Sequence, residues 1–287
     1  MINRVRAWLG TPIKRILRPH KGPPISGWVE CERQGLRWRL QMEQSIDREI
    51  ALGVFEPETT RLVNKIVKPG MTVIDVGANL GYYTIMFASL VGNSGKVFAF
   101  EPVKQYYEKL LWHVEANGFR NHVAAFNCGL SDNENRISIG VASSGATVHW
   151  VSDDPPTRCE EIQLHPLDEI IRKNSIEKID LIKIDIDGHE PFFFRGARNF
   201  FQKNLPILLV EFAQLNLDKA GEDVIDLKAT IEKLGYTIYS ESTKMPFTSR
   251  TQFLVECGNY AYSANVWAIP NLLAGEGLPL EEIASSI

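Results

Sequence analysis

Val73-Ile74-Asp75-Val76-Gly77-Ala78-Asn79-Leu80-Gly81-Tyr82-Tyr83-Thr84 is the stretch that decides the fold. Its first four residues are an apolar run broken by one acid, as in a strand buried on both faces. Gly77 and Gly81 then allow a tight turn and a close approach of backbone to a ligand. Tyr82–Leu90 reads as a helix, which would open with free N–H groups. Strand, turn and helix in that order put the turn at the carboxyl end of a strand, where open α/β sheets hold their ligands.

Outward from this unit the same rhythm repeats. Lys96–Phe100, Val123–Cys128, Ile179–Asp185 and Ile207–Phe212 read as strands. Lys104–Asn117, Leu167–Lys173, Phe192–Gln202 and Glu222–Leu234 read as helices; in the first, Tyr107, Leu110, Leu111 and Val114 fall at helical spacing. This alternation predicts a mostly parallel sheet, seven-stranded and covered by helices. Past Tyr236 the rhythm stops. Tyr236–Ser240, Phe253–Cys257 and Asn265–Ile269 read as strands without helices between them, so an antiparallel C-terminal edge is expected. Upstream, Trp28–Glu32 and Leu36–Met42 flank Gln34-Gly35 as a hairpin, and Glu58–Val67 reads as a helix opened by Pro57 and closed by Pro69-Gly70. Within 131–165, Arg136–Val141 reads as a strand and Ser143–Thr157 as a small, polar β-excursion or loop beside the ligand cleft; His149 and Trp150 there are candidates for a substrate lid. The expected organisation is a basic segment and linker over 1–27, a hairpin-and-helix extension over 28–70, a catalytic domain over 71–270 and a tail over 271–287.

Composition narrows the class of partner. The 287 residues are 44% hydrophobic, enough for a full core, and the net charge of −4 gives no general attraction to nucleic acid. Cys31, Cys128, Cys159 and Cys257 lie far apart, with no C-x-x-C pair and no His at ligand spacing. They read as reduced thiols in a cytoplasmic protein. No run approaches the roughly 20 apolar residues of a spanning helix. Residues 1–21 carry Arg4, Arg6, Lys14, Arg15, Arg18 and Lys21 and no acid. This segment reads either as a docked or frayed terminal helix or as a basic amphipathic stretch able to touch an anionic membrane surface weakly.

Val97-Phe98-Ala99-Phe100-Glu101-Pro102 ends the second strand of the unit with an acid 24 residues past Gly77. An acid there can accept hydrogen bonds from both hydroxyls of a ribose, which fits a nicotinamide dinucleotide or S-adenosylmethionine. Three features favour S-adenosylmethionine. The turn is Gly77-x-Asn79-x-Gly81 rather than the G-x-G-x-x-G that lets pyrophosphate reach a helix N-terminus. Asp75 would repel pyrophosphate but could meet an amino group or a sulfonium. The antiparallel edge also suits methyltransferase sheets better. A nicotinamide-dependent oxidoreductase and a non-catalytic cofactor-binding protein remain the alternatives on the residues alone.

Together with the run from Val73 to Thr84 and Phe98–Pro102, the stretches Gly129-Leu130-Ser131-Asp132, Leu181-Ile182-Lys183-Ile184-Asp185-Ile186-Asp187-Gly188-His189-Glu190, Leu209-Val210-Glu211-Phe212 and Gly53-x-Phe55-Glu56-Pro57-Glu58 resemble the FkbM-type methyltransferases. The resemblance covers about residues 28–270. It implies a Rossmann-like class I methyltransferase fold and O-methylation of a hydroxyl on a sugar, glycoconjugate or secondary metabolite. Carried onto this chain, Asp75, Gly77, Asn79 and Gly81 would hold the methionine end of the cofactor. Glu101, with Pro102, would bind ribose, and Ser131 and Asp132 would lie beside the adenine. Asp187 stands where the family commonly has Glu, one methylene longer.

A hydroxyl acceptor needs a group to take its proton. Asp185, Asp187 and Lys183 alternate along the end of one strand and should share a face, and His189 titrates in a useful range. Asp185 is the first choice of base, ahead of His189. Lys183, Glu190 and Glu211 are then acceptor-binding groups, although acids at a helix start can also serve as caps. Clustered carboxylates could hold Mg²⁺, but no His/Cys set calls for zinc and no required metal is expected. Tyr82 and Tyr83 are pocket or core residues; Phe192-Phe193-Phe194 reads as core.

Overall fold

The computed structural model describes residues 26–142, 145–147, 158–275 and 277–287. The basic segment 1–21 and the lid candidates His149 and Trp150 lie outside them. Gln34 and Gly35 both take positive φ, 55° and 74°, closing a two-residue hairpin between β1 (Trp28–Arg33) and β2 (Leu36–Gln41). On β2, Leu36, Trp38 and Leu40 are buried while Arg37 and Arg39 face out. Two helices follow, α1 (Ser45–Leu52) and α2 (Pro57–Ile66), the latter starting on Pro57 as expected.

The repeating units come next: β3 (Thr72–Val76), α3 (Tyr82–Val91), β4 (Lys96–Phe100), α4 (Lys104–Ala116) and β5 (Val123–Phe126). An excursion made of β6 (Gly129–Leu130), β7 (Asn135–Ala142), β8 (Gly145–Thr147) and β9 (Arg158–His165) forms a separate small sheet in the order β6-β9-β7-β8. The main chain path resumes with α5 (Leu167–Asn174), β10 (Leu181–Ile184), α6 (Glu190–Gly196), α7 (Arg198–Phe201), β11 (Ile207–Phe212), α8 (Gln214–Lys219), α9 (Val224–Lys233) and β12 (Tyr236–Ser240). It ends with α10 (Arg250–Cys257), β13 (Ala264–Pro270), α11 (Asn271–Ala274) and α12 (Leu280–Ser286).

The main sheet has seven strands in the order β12-β13-β11-β10-β3-β4-β5. Five neighbouring strands, β11 to β5, are parallel, and β13 runs antiparallel to both β11 and β12. The antiparallel element is therefore last in sequence but inserted one place inside the edge. Parity divides the core. Ile74 and Val76 of β3 face one apolar layer with Ile182, Ile184 and Phe193, whereas Val73 faces the other with Phe87 and Leu181.

Phe253–Cys257 is a helix, not a strand. Ser249 caps it by accepting the N–H of Gln252, and Phe253 and Cys257 are buried four residues apart while Val255 is 69% exposed. That is helical periodicity, which a five-residue apolar run does not reveal. The expected Phe192–Gln202 helix divides into α6 and α7 at Ala197. The tail after 270 is docked rather than loose: Leu280, Ile283 and Ala284 join the α2 core, Lys65 pairs with Glu281 at 3.2 Å, and Lys68 Nζ donates to the Ala284 carbonyl. All four cysteines are free. Among the described residues no helix is long and apolar enough to cross a membrane.

The N-terminal extension is bolted to the nucleotide-type turn. Arg39 N–H donates to His113 Nε2 at 3.0 Å, so the proton sits on Nδ1, which donates to the Leu80 carbonyl at 2.8 Å. Burial lowers the His113 pKa and favours this neutral bridge. Nearby, Asp47 and Lys109 form a buried ion pair at 2.9 Å, with side chains 1% and 6% exposed. Asp47 also accepts Gln41 N–H, and Lys109 donates to Gln44 Oε1.

Candidate active site

The carboxyl ends of β3, β4, β10 and β11 open into one cleft of about 250 Å³. Its wall carries five carboxylates, Glu56, Glu101, Asp185, Asp187 and Glu211, against one ammonium, Lys183. Pro102, Leu130, Ile139, Ile162 and Leu164 give it an apolar flank beside Glu101. The β-excursion thus supplies part of the cleft, as its departure from the strand–helix rhythm suggested.

The glycine turn works differently from the expectation. Gly77 has φ 78°, and a Cβ there would stand 1.8 Å from the Asp185 carbonyl oxygen; Gly81 has φ 97°, and its Cβ would meet Leu110 Cδ1 at 2.6 Å. Both glycines let chain approach chain, and only Gly77 also lines the cleft. Asn79, at φ 51°, turns its N–H onto Glu101 Oε2 at 2.7 Å, while Val103 N–H reaches Oε1 at 2.8 Å. These bonds aim the Glu101 carboxyl into the cleft. Burial nevertheless pushes Glu101 up to about 8, against the pull of the two N–H groups.

Asp75 does not reach the cleft. It is completely buried on the Val73 face of β3, where it accepts from Thr84 Oγ1 at 2.6 Å. Burial raises its pKa, which the charge of Lys183 partly offsets. The alternation along β3 turns this residue towards the first turn of α3, so it anchors that turn and does not line the cleft.

At the end of β10, Lys183 is 3% exposed and donates to Asp185 Oδ2 at 2.7 Å, with its ammonium 4.9 Å from the Tyr83 ring centroid. Burial alone would raise Asp185, but the Lys183 charge and hydrogen bonds from Lys183 and Glu211 hold it below its ordinary value. Glu211 is half-buried; desolvation first, then the charges of Asp185, Asp187 and Glu190, hold it well above the carboxylate range. The strand stops at Ile184, so Asp187 sits in a turn at φ 54°, where Asn216 Nδ2 donates to it at 3.2 Å. Burial first, then the Asp185 charge, pushes Asp187 up to about 7.

Three more of the expected site residues lie off the cleft wall. Glu190 is 1% exposed and accepts the Ile186 N–H at 3.0 Å and the Gly188 N–H at 3.4 Å. It braces the Asp185–Gly188 turn and does not line the cleft, the capping use that acids at a helix start also allow. Ser131 is buried against His189, Oγ to Nε2 2.9 Å, and Asp132 faces Arg195, Oδ2 to Nε 3.8 Å. Neither lines the cleft, whose flank beside Glu101 is apolar. His189 does line the cleft, but its ring stacks on Phe192 at 4.4 Å and its Nε2 is committed to Ser131. Among the described residues Glu134, His165 and Glu169 bring ligand-type atoms within 4.8 Å of one another, away from the cleft, with Lys173 paired to Glu169.

Glu56 was given no role by motif reading. It precedes Pro57 yet holds φ 37° and ψ 61°, a left-handed conformation that non-glycine residues avoid and that a following proline disfavours further. Such strain costs on the order of 1–3 kcal/mol. The G-x-F-E-P run carried the only sequence signal for it.

A carboxylate at the end of β4, a glycine turn after β3 and β13 inserted antiparallel beside β11 define a class I S-adenosylmethionine-dependent methyltransferase. A family model described as the methyltransferase FkbM domain matches residues 75–238, and the chain belongs to that family. Among curated proteins, it is 26% identical over 204 residues to the hexuronic acid methyltransferase AglP of Haloferax volcanii, covering 70% of this chain and 77% of that one. It is also 37% identical over 57 residues to protein-L-isoaspartate O-methyltransferase 1 of Arabidopsis thaliana, covering 20% of this chain and 25% of that one. A solved FkbM methyltransferase from Methylobacillus flagellatus aligns at TM-score 0.46 and 18% identity, over 69% of this chain and 43% of the other. S-adenosylmethionine is the cofactor. The cleft fits it: its five acids can ionise against a sulfonium cation, and its single ammonium, Lys183, is already paired with Asp185 and offers a pyrophosphate little; the family match removes the dinucleotide alternative.

Proposed function

We propose that this enzyme methylates a hydroxyl oxygen of a sugar or glycoconjugate, with Asp187 taking the proton. The observation that carries this reading is the cleft carboxyl of Asp187, pushed up to about 7 beside an Asp185 that Lys183 holds ionised. A base works best when its pKa lies near the working pH. Asp187 therefore suits the role better than Asp185, whose proton affinity is spent on Lys183. The named relative acts on hexuronic acid, a sugar derivative, which supports the acceptor class.

When bound, the cofactor supplies an electrophilic methyl group on a cationic sulfur. Glu101 would hold its ribose, using the lone pairs left after Asn79 and Val103 N–H are satisfied. Asp185 would accept a hydrogen bond from a neighbouring hydroxyl of the sugar and so fix the approach of the reacting one. Asp187 would receive the hydroxyl proton as the O–CH₃ bond forms and the S–CH₃ bond breaks, then release it to water. Alignment by these side chains supplies most of the acceleration, because the donor is already activated.

The test is transfer of isotopically labelled methyl to a panel of sugars and uronic-acid glycans, with amine acceptors as controls. Label in an alkali-stable methyl ether supports the reading. Label found only in an alkali-labile ester or on nitrogen rejects it.

A further inference from the structure

We infer that Glu56 is an acceptor-binding residue: one of its carboxylate oxygens would hold a hydroxyl of the sugar acceptor. This rests on the sugar-hydroxyl reading above. Three observations about Glu56 converge. It belongs to the N-terminal extension, between α1 and α2, yet it lines the cleft. Its two hydrogen bonds, from Tyr83 Oη and from Asn265 Nδ2 (2.9 Å), both fall on Oε2. Oε1 has no hydrogen-bond partner among the described residues and is not sealed from solvent. One oxygen is thus the anchor and the other is presented. Asn265 is itself braced by Thr59 Oγ1 at 3.1 Å, so the anchor is built from α2, α3 and β13 together.

Position then selects the ligand. Asn265 pairs with Glu211 across β13 and β11, whereas Glu101 ends β4. In the sheet order β13-β11-β10-β3-β4, four strand steps separate those ends, about 19 Å at the usual spacing. The ribose end of the cofactor belongs at Glu101. The carboxylate held against β13 therefore lies on the far side of the Asp185–Asp187 pair, where an acceptor must stand. A carboxylate is acceptor-only and matches the O–H donors of a sugar. The residue that lines the cleft is also the one held in left-handed backbone before Pro57, so the strain falls at the proposed site.

Glu56→Gln tests this directly. The amide oxygen can keep the Tyr83 and Asn265 bonds while the cleft face changes from acceptor to donor. Expected are a rise in acceptor KM of about tenfold to a hundredfold, the loss of one charged hydrogen bond, and a calorimetric Kd for S-adenosylmethionine within about twofold of wild type. Asn265→Ala, which loosens the anchor but keeps the carboxylate, should raise acceptor KM less, and serves if the first variant folds poorly. A Kd for S-adenosylmethionine that weakens in step with KM would overturn the assignment and place Glu56 at the cofactor. A Glu56→Gln enzyme unchanged in both constants would overturn it as well. Wild-type enzyme that turns over no sugar at all would instead bring down the acceptor class, and with it the ligand assigned to Glu56.

Discussion

Two buried charge clusters in this protein are built in opposite ways. Under the hairpin, Asp47 meets Lys109 one to one, and backbone or amide groups occupy further positions on both. In the cleft, Lys183 faces Asp185, with Glu56, Asp187 and Glu211 around them. The first cluster is balanced and fastens α4 to the extension. The second carries surplus acid, so burial and mutual repulsion lift Glu211 and bring Asp187 to about 7. Balanced burial makes a joint, whereas unbalanced burial leaves protonatable groups and a field that favours a cationic cofactor.

The largest expected effect is on the unbalanced side. Asp187→Asn should lower kcat by about 10²–10⁴-fold, the usual worth of a general base, while calorimetry shows S-adenosylmethionine binding retained. Asp47→Ala should do the reverse. Leaving Lys109 buried without its partner should cost about 3–5 kcal/mol of stability, read by denaturant unfolding, with turnover per folded molecule kept within about threefold. Glu101→Ala should weaken S-adenosylmethionine binding by about 1.5–3 kcal/mol, roughly tenfold to 150-fold, and leave unfolding cooperative.

The smallest effect is on stability against pH. Asp187, Glu101 and Glu190 all have folded values raised, to about 7, 8 and 8, above the ordinary carboxyl range. Their stability contribution is full below about pH 4 and is lost as pH rises through 7 to 8. Thermal unfolding should therefore occur at lower temperature at pH 8.5 than at pH 5.5, and the cationic cofactor should narrow the gap. A Tm that climbs over this window would show that these acids are not buried as neutral groups.

The sheet was legible from sequence because its signals are local. The apolar strands, the glycine turn and the acid ending β4 each lie within a dozen residues. What escaped depends on distant partners. Nothing near Asp75 says that β3 parity turns it onto Thr84, and nothing near Glu190 says that the Ile186 and Gly188 N–H groups will use it. Nothing near Ser131 says that the fold will bring His189, 58 positions on, to its hydroxyl. Glu56 lies 209 positions from Asn265, so its place in the cleft exists only once β13 has inserted beside β11. Phe253–Cys257 failed for another reason: a short apolar run fits either period until its cap is recognised.

The most direct measurement is the pH–rate profile of methyl transfer, kcat/KM from pH 5.5 to 9, for wild type and Asp187→Asn. If Asp187 takes the acceptor proton, the wild-type rate climbs with a midpoint near pH 7 and the limb is absent from the residual activity of the variant. An Asp187→Asn enzyme that keeps the wild-type rate and the same limb would contradict that role and return the search for the base to Asp185 and His189.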